Sequence, residues 1–230
     1  MSEYRPWDRA YDSHAAFYEN AYGRQITSLK PAGSWGATLI EAAQSAGDWS
    51  DAPTPDLTMG WLASTPVELS CDLGAGRFTG LQQTGDAILV APAGGAGIVL
   101  SGAHVVRLVS VPYRNLLDAM PETTVAPPDG DFDRLHAGMI RAPKLIRLLE
   151  ELWSEVQSGA AHGAMLADGL LLQLAGTLLR LRDGETAGLA PVRGGLAPWQ
   201  VRRVCDLLRS DLSADPGLTG ACVEGVRRTT

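Results

Sequence analysis

The chain has 230 residues, 45% of them hydrophobic, with 26 acidic against 19 basic side chains and a net charge of −7. At roughly 100–200 residues per domain this allows one large domain or two small ones, and it excludes wholesale disorder and nucleic-acid binding by bulk charge. The charge is uneven: residues 1–131 hold 7 basic and 15 acidic groups, whereas residues 132–230 hold 12 and 11, as two different modules would.

The N-terminal segment, residues 1–25, is polar and acidic and lacks the apolar stretch of a secretory signal. From Ile26 to Val111 the texture is β. Thr58–Leu62, Val67–Leu73, Ala87–Ala91, Gly97–Leu100 and His104–Val111 are short aliphatic runs punctuated by Gly, Pro and Asp. Val67, Leu69, Cys71 and Leu73 alternate with Glu68, Ser70 and Asp72, the period-2 pattern of an antiparallel strand with one wet face. Short strands at this spacing, without helical crossovers, predict a barrel or sandwich over residues 26–120. Trp49–Leu57, with two prolines, reads as an irregular loop.

After Pro112 the period changes. Tyr113–Met120 predicts a short helix, and Pro121–Asp131 reads as a linker. Residues 132–183 are helical. Pro143 opens a helix to about Gln157, with Leu145, Leu148, Leu149, Leu152 and Val156 as its apolar stripe and Glu150, Glu151 and Glu155 off it. A second helix, Ala164–Arg182, carries Leu166, Leu170, Leu174, Leu178 and Leu181 on one side. Asp168 and Gln173 interrupt its apolar run, which reads as a buried helix and not as a membrane span. Residues 184–197 form a Gly/Pro-rich linker, and Pro198 opens a further helix, Trp199–Leu212, on which Cys205 lies on the apolar stripe and Arg202, Arg203 and Arg209 lie outside it.

Candidate chemistry is sparse. Cys71, Cys205 and Cys222 are widely separated and odd in number, which supports neither a disulfide framework nor a zinc finger and fits a reducing cytoplasm. His14, His104, His136 and His162 include no H-x-H pair, so no metal site is expected and surface or partly buried rings are the default. No G-x-S-x-G elbow is present, and the Gly-rich run Pro92–Gly97 lacks the Lys-Ser/Thr of a phosphate loop. Catalytic residues, cofactor and metal are therefore all expected to be none. An effector pocket is the more natural use of the β region, with Trp35, Trp61, Leu69 and Cys71 as lining candidates, although the same residues could simply fill the core. Glu68 and Arg107 read as exposed charges.

The run Gly194–Val204, GGLAPWQVRRV, continuing to Leu218-Thr219, resembles the entry into the DNA-binding domain of AraC/XylS-type transcriptional regulators. Gly85–Gly94, GDAILVAPAG, is similar to a strand and turn of that family's cupin-like sensor domain. His104–Leu117 is similar to the strand leaving the sensor, and RAPKLIRLLEELWSEV to the helix after it. The resemblance spans about residues 26–219. It implies an α+β fold: a cupin-like antiparallel β-barrel, an α-helical hairpin, and a vestigial first helix of a helix-turn-helix domain at 198–230. It further implies a small-molecule effector and dimerisation through the helical region, with Leu145, Leu148, Leu149, Leu152 and Val156 as candidates. Arg202 and Arg203 would touch the DNA backbone only in a complete parent, since an operator is read by the second helix of each helix-turn-helix.

The chain ends about a dozen residues after Leu218, and its tail does not continue the family's pattern. The expectation is a regulator whose output domain is truncated, or a stand-alone sensor acting as a homodimer or as a heterodimer with an intact homologue. A cupin-type enzyme of small-molecule metabolism is the alternative.

Overall fold

The computed structural model describes residues 9–184. Helix α1 (His14–Tyr22) precedes nine strands: β1 (Ile26–Ala32), β2 (Ala37–Gln44), β3 (Gly47–Asp48), β4 (Asp56–Leu62), β5 (Val67–Asp72), β6 (Arg77–Gln82), β7 (Ala87–Val90), β8 (Gly97–Leu100) and β9 (His104–Pro112). Three α-helices follow: α2 (Tyr113–Ala119), α3 (Pro143–Ser158) and α4 (Gly163–Arg182), with a 3-10 turn at Asp133–His136 before α3. The fold class is α+β, as expected.

The strands form two antiparallel sheets, ordered β1-β2-β9-β4-β7 and β3-β8-β5-β6. Of the barrel or sandwich read from the sequence, the arrangement is two facing sheets that are not closed by hydrogen bonds: among the described residues no ladder joins the edge strands β1 and β7 to β3 and β6. Pro31 lies in β1, at an edge of the five-stranded sheet, where its missing N–H does no harm.

The five-stranded sheet is the middle layer. All seven residues of β4 are buried. Leu57, Met59 and Trp61 join a core shared with α3 and α4, while Leu62 joins the second core, between the sheets. β5 shows the alternation read from its sequence, with Val67, Leu69 and Cys71 inward.

The helices dock through one transverse row. Glu41, Arg107 and Trp61 are register partners across β2, β9 and β4. Trp61 donates its indole N–H to Glu150 of α3 at 2.8 Å, Arg107 bonds Glu150 at 2.8 Å and Glu41 at 3.0 Å, and its guanidinium lies 4.6 Å from the Trp153 ring centre. Arg107 is thus not the exposed charge its position in the sequence implied. Leu145, Leu149 and Leu152 are fully buried and Leu148 nearly so, each burial contributing about 1.5–3 kcal/mol. Pro143 opens α3 as expected, and Gly159, in the left-handed conformation at φ 64°, ends it.

On α4 the buried line is Ala167, Leu171, Leu174, Ala175, Leu178 and Leu181. Leu166, expected on that side, is 48% exposed. A chain of i+4 steps drifts by about 40° per step around a helix, so residues that share a face at Leu178 have left it by Leu166.

Of Pro121–Asp131, the stretch read as a linker, only Gly130 is buried; residues 132–142, expected to be helical, form instead a 3-10 turn and a single bridge, and it is this stretch that packs. Tyr113 donates its hydroxyl to the Pro127 carbonyl, Phe132, Leu135 and Ile140 are fully buried, and Ile140 exchanges backbone hydrogen bonds with Ala87 at the edge of the central sheet. The neutral His136 ring fastens it further, donating Nδ1–H to the Leu89 carbonyl while Nε2 accepts the Phe132 N–H, each at 2.9 Å. The five-stranded sheet and the helices therefore share one core, and the four-stranded sheet packs on the other face of that sheet through a second.

The β1–β2 turn is pinned to α4, where Asp168 accepts from Ser34 N at 2.7 Å and Ser34 Oγ at 2.6 Å. Gly33 lies beneath at φ +71°, and a Cβ there would stand 2.1 Å from Asp168 Oδ1. Gly33→Ala is expected to lower stability by about 2–4 kcal/mol, through left-handed strain and loss of the pin. In an Asp168→Ala background only the strain remains and the same change is expected to lower it by about 1 kcal/mol, a coupling measured by a double-mutant denaturation cycle.

Candidate functional site

A cavity lies between the two sheets. Its apolar wall includes Leu62 and Leu69 with Ile88, Ile98 and Leu108, and its polar lining comprises Tyr18, Gln44, Asp51, Thr58, Gln82 and His104, with Trp49 beside them. About 30 Å³ is open to the centre of a water molecule, room for about two waters.

Each polar group arrives from a different element. β4 turns Thr58 inward because the opposite parity, Leu57 and Met59, faces the helices. Asp51 enters from the stretch between β3 and β4, where its backbone pairs with Ala96 through N–H···O bonds of 2.8 and 3.1 Å. Trp49 is held by its own N–H to the Ile98 carbonyl at 2.8 Å and by its indole N–H to the Ser45 carbonyl at 2.9 Å.

Helix α1 closes one side. Ser13 caps it, its hydroxyl accepting the Ala16 N–H, and His14, Phe17, Tyr18 and Tyr22 form its buried face. Tyr18 and Tyr22 meet edge to face at 5.2 Å between centroids, Tyr22 meets Trp49 at 5.1 Å, and the Tyr22 hydroxyl donates to the Ser50 carbonyl at 2.7 Å. Sequence reading passed over this helix. Ser13 followed by aromatic residues at i, i+1 and i+5 from Phe17 was the available signal.

The site holds two polar groupings. At one end His104 Nδ1 is 3.0 Å from the Gly102 carbonyl, His104 Nε2 is 2.9 Å from the Gln44 amide, and that amide reaches the Tyr18 hydroxyl at 3.2 Å. Burial holds the His104 pKa below its ordinary value near 6.5. The Gln44 amide turns its oxygen to His104 Nε2 and donates its N–H to the Tyr18 hydroxyl, which ties α1, β2 and β9 together at this end.

At the other end His14, Asp51, Asp56 and Thr58 are each 5% exposed or less. Asp56 Oδ2 accepts the His14 backbone N–H at 2.9 Å and the Ser110 hydroxyl at 2.7 Å. His14 Nε2 stands 3.5 Å from Asp51 Oδ2, short of a hydrogen bond. Asp51 Oδ1, Asp56 Oδ1, Thr58 Oγ1 and both His14 ring nitrogens lack a hydrogen-bond partner among the described residues.

Of the four lining candidates, only Leu69 borders the cavity. Cys71 lies in the same core, and burial, then the charge of Asp51, pushes its thiol well above the ordinary range. Trp61 faces the opposite side of the central sheet, and Trp35 packs half-buried against that helix-side core, its carbonyl accepting from Asn115. Three of the four histidines are buried rather than surface rings: His14, His104 and His136. Among the described residues no three His, Cys, Asp or Glu side chains converge as a metal donor set. Leu145, Leu148, Leu149 and Leu152 are spent on the internal core and Val156 packs beside them, which leaves these side chains no face for a second subunit. Arg202, Arg203 and the helix at 198–230 lie outside the described residues.

No family model matches the chain, and no curated protein matches it by sequence. Among solved structures it is similar to the AraC-like transcriptional activator CuxR, at 11% identity over 82% of this chain and 66% of that one, with a TM-score of 0.45. It is also similar to the S161A mutant of Bacillus subtilis oxalate decarboxylase, at 11% identity over 43% and 22% of the two chains and a TM-score of 0.28. Protein NMB1881 from Neisseria meningitidis aligns at 9% identity over 38% and 86%, with a TM-score of 0.30. The chain spans just under two thirds of the activator's length and about a fifth of the decarboxylase's.

The lowered His104 pKa sets the sign of an acid response. Between the folded value and 6.5 the unfolded chain binds more protons, so this contribution is complete above about pH 6.5 and is lost as pH falls through the folded value. The unfolding midpoint is expected to drop from about pH 7 to about pH 5, and His104→Gln is expected to flatten that slope in thermal melts.

Proposed function

We propose that residues 9–184 are the ligand-sensing part of an AraC/XylS-type, cytoplasmic transcription regulator, with a cupin-like β region as the receptor for a small-molecule effector. The observation that carries this reading is the enclosed inter-sheet cavity, whose apolar walls surround unpartnered oxygens of Asp51 and Thr58. Binding sites combine apolar walls with a few convergent polar groups in this way. The resemblance at residues 194–219 supports the same reading. Cys71 is not poised as a nucleophile for this site, since it does not line the cavity and burial raises its pKa.

Effector binding would then act as a population shift, since occupancy favours whichever arrangement of α1 and the sheets fits the ligand better. The partner is a second copy of this chain, and its seat is the outer face of α4. Met165, Gly169, Leu172 and Gly176 recur there at steps of four, three and four, the 3.5-residue spacing of a two-helix seam, and Leu179 continues the series at its border with the internal core. Met165 is 69% exposed, and nothing stands within 4 Å of where a Cβ on Gly169 or Gly176 would lie, so a second backbone can approach closely.

Two measurements test the reading. A thermal-shift screen of small organic molecules is expected to find ligands that raise the midpoint in proportion to RT ln(1 + [L]/Kd), and Leu69→Phe, which fills the cavity, is expected to abolish the response while melting like wild type. Stoichiometric Fe, Mn or Zn in the purified protein would instead favour a cupin-type enzyme. In sedimentation analysis the chain is expected to be a dimer, and Gly176→Arg is expected to weaken the dimer by about tenfold or more without loss of secondary structure.

A further inference from the structure

We propose that the cavity recognises a small organic cation, an ammonium or amidinium group on a short apolar body, with Asp51 as its counter-charge. This rests on the sensing reading above and names the ligand class for the same site.

The argument is a balance of charge and hydrogen bonds. Asp51 and Asp56 are 5% and 2% exposed, and both meet His14, one at its ring and the other at its backbone N–H. Neither an Arg nor a Lys lines the cavity, and neither is ion-paired to these carboxylates among the described residues. Whatever the charge on His14, at most one positive charge faces two carboxylates. The two buried carboxyl groups thus have one His14 ring between them as their basic neighbour among the described residues, and Asp51, the one that lines the cavity, has room beside it for a cationic partner.

The unmet hydrogen-bonding capacity that faces the cavity is that of acceptors: Asp51 Oδ1, and Thr58 Oγ1, which can also donate. The His14 ring nitrogens are unpartnered too, but His14 stands behind Asp51, with Nε2 3.5 Å from its Oδ2, and does not line the cavity. A neutral hydroxyl would meet the hydrogen bonds without matching the carboxyl's charge, and an anion would oppose it. A cationic N–H group meets both at once.

The surroundings suit such a group. Trp49 and Tyr18 border the same cavity as Asp51, and an aromatic face beside a carboxylate is a favourable seat for a cation. The field of Asp51 reaches across the interior, adding to burial in raising the Tyr18, Tyr22 and Cys71 pKa values. The limited open space points to a ligand of few heavy atoms, or to one whose entry moves α1.

The test uses the full chain and matched probes: butylammonium and benzamidinium as cations, butanol and benzyl alcohol as neutral counterparts, butyrate as anion, and a panel of polyols. Calorimetry is expected to show saturable binding of at least one cation, about tenfold or more tighter than its neutral counterpart, and loss of about tenfold or more in Asp51→Asn. The exposed neighbour Asp48→Asn should leave binding unchanged. Without any ligand, Asp51→Asn is expected to melt at or above the wild-type temperature because it removes one of two buried carboxyl groups that share the His14 ring; a clear drop would show Asp51 to be a structural partner and overturn the proposal.

Binding of a neutral or anionic probe as tight as that of the cations, or cation binding that survives Asp51→Asn, would overturn the cation assignment and leave the sensing role standing. If no probe of any class binds here and the thermal-shift screen finds no ligand whose effect Leu69→Phe removes, both readings fail together.

Discussion

Burying both faces of β4 obliges the chain to supply two covers, and each is built differently. On the helix side the cover is fastened by charge and aromatic contact: Glu150 accepts from Trp61 and Arg107, and Trp153 lies against the guanidinium. Under this clamp the leucines of α3 and α4 complete an apolar core. On the other side the cover is the four-stranded sheet with α1, and there the packing is incomplete. Polar groups enter that gap without full partners. Space remains on both faces of the central sheet, but on the helix side the gap is lined only by apolar side chains such as Leu57, Val109, Leu171 and Leu178, and on the other side polar groups enter it.

How much of this was legible depended on how many faces an element exposes. β5 has one wet face, so its alternation named Leu69 and Cys71 as inward residues directly from sequence. β4 has none, and a strand buried on both sides carries no mark of which parity faces a ligand. That is why Trp61 was placed in the pocket when it belongs to the helix interface. α3, with its proline start and leucine stripe, was readable almost to the residue. α1 was not, because its buried face is made of His, Phe and Tyr rather than aliphatic residues. The site itself was least legible of all. Asp51, Asp56 and His14 are separated by up to 42 positions and are ordinary polar residues until the fold removes them from water.

The segment between α2 and α3 shows the same limit from another side. Its prolines, glycine and acidic residues up to Asp131 read as a linker and are largely exposed, whereas residues 132–142, expected to be helical, are a turn that Phe132, Leu135 and Ile140 anchor and His136 fastens by a donor on one ring nitrogen and an acceptor on the other. Composition describes what a segment does when nothing holds it, and three apolar side chains suffice to change that. Consequently the β region and the helices are one mechanical body, not two joined by a tether.

That body has an asymmetric history open to it. Every inward residue of β4 and β9 is backbone neighbour to one that holds the helices, so substitutions there are constrained twice and should diversify slowly among relatives. Tyr18, Trp49 and Asp51 come from α1 and the stretch before β4, which border the cavity without touching the helix clamp. Ligand preference can therefore be rewritten on that wall alone, and a lineage of such proteins would change what it senses by substitutions in α1 and the stretch before β4, while β1, β2 and the turn between them, which carry Ser34 and Glu41, stay with the framework.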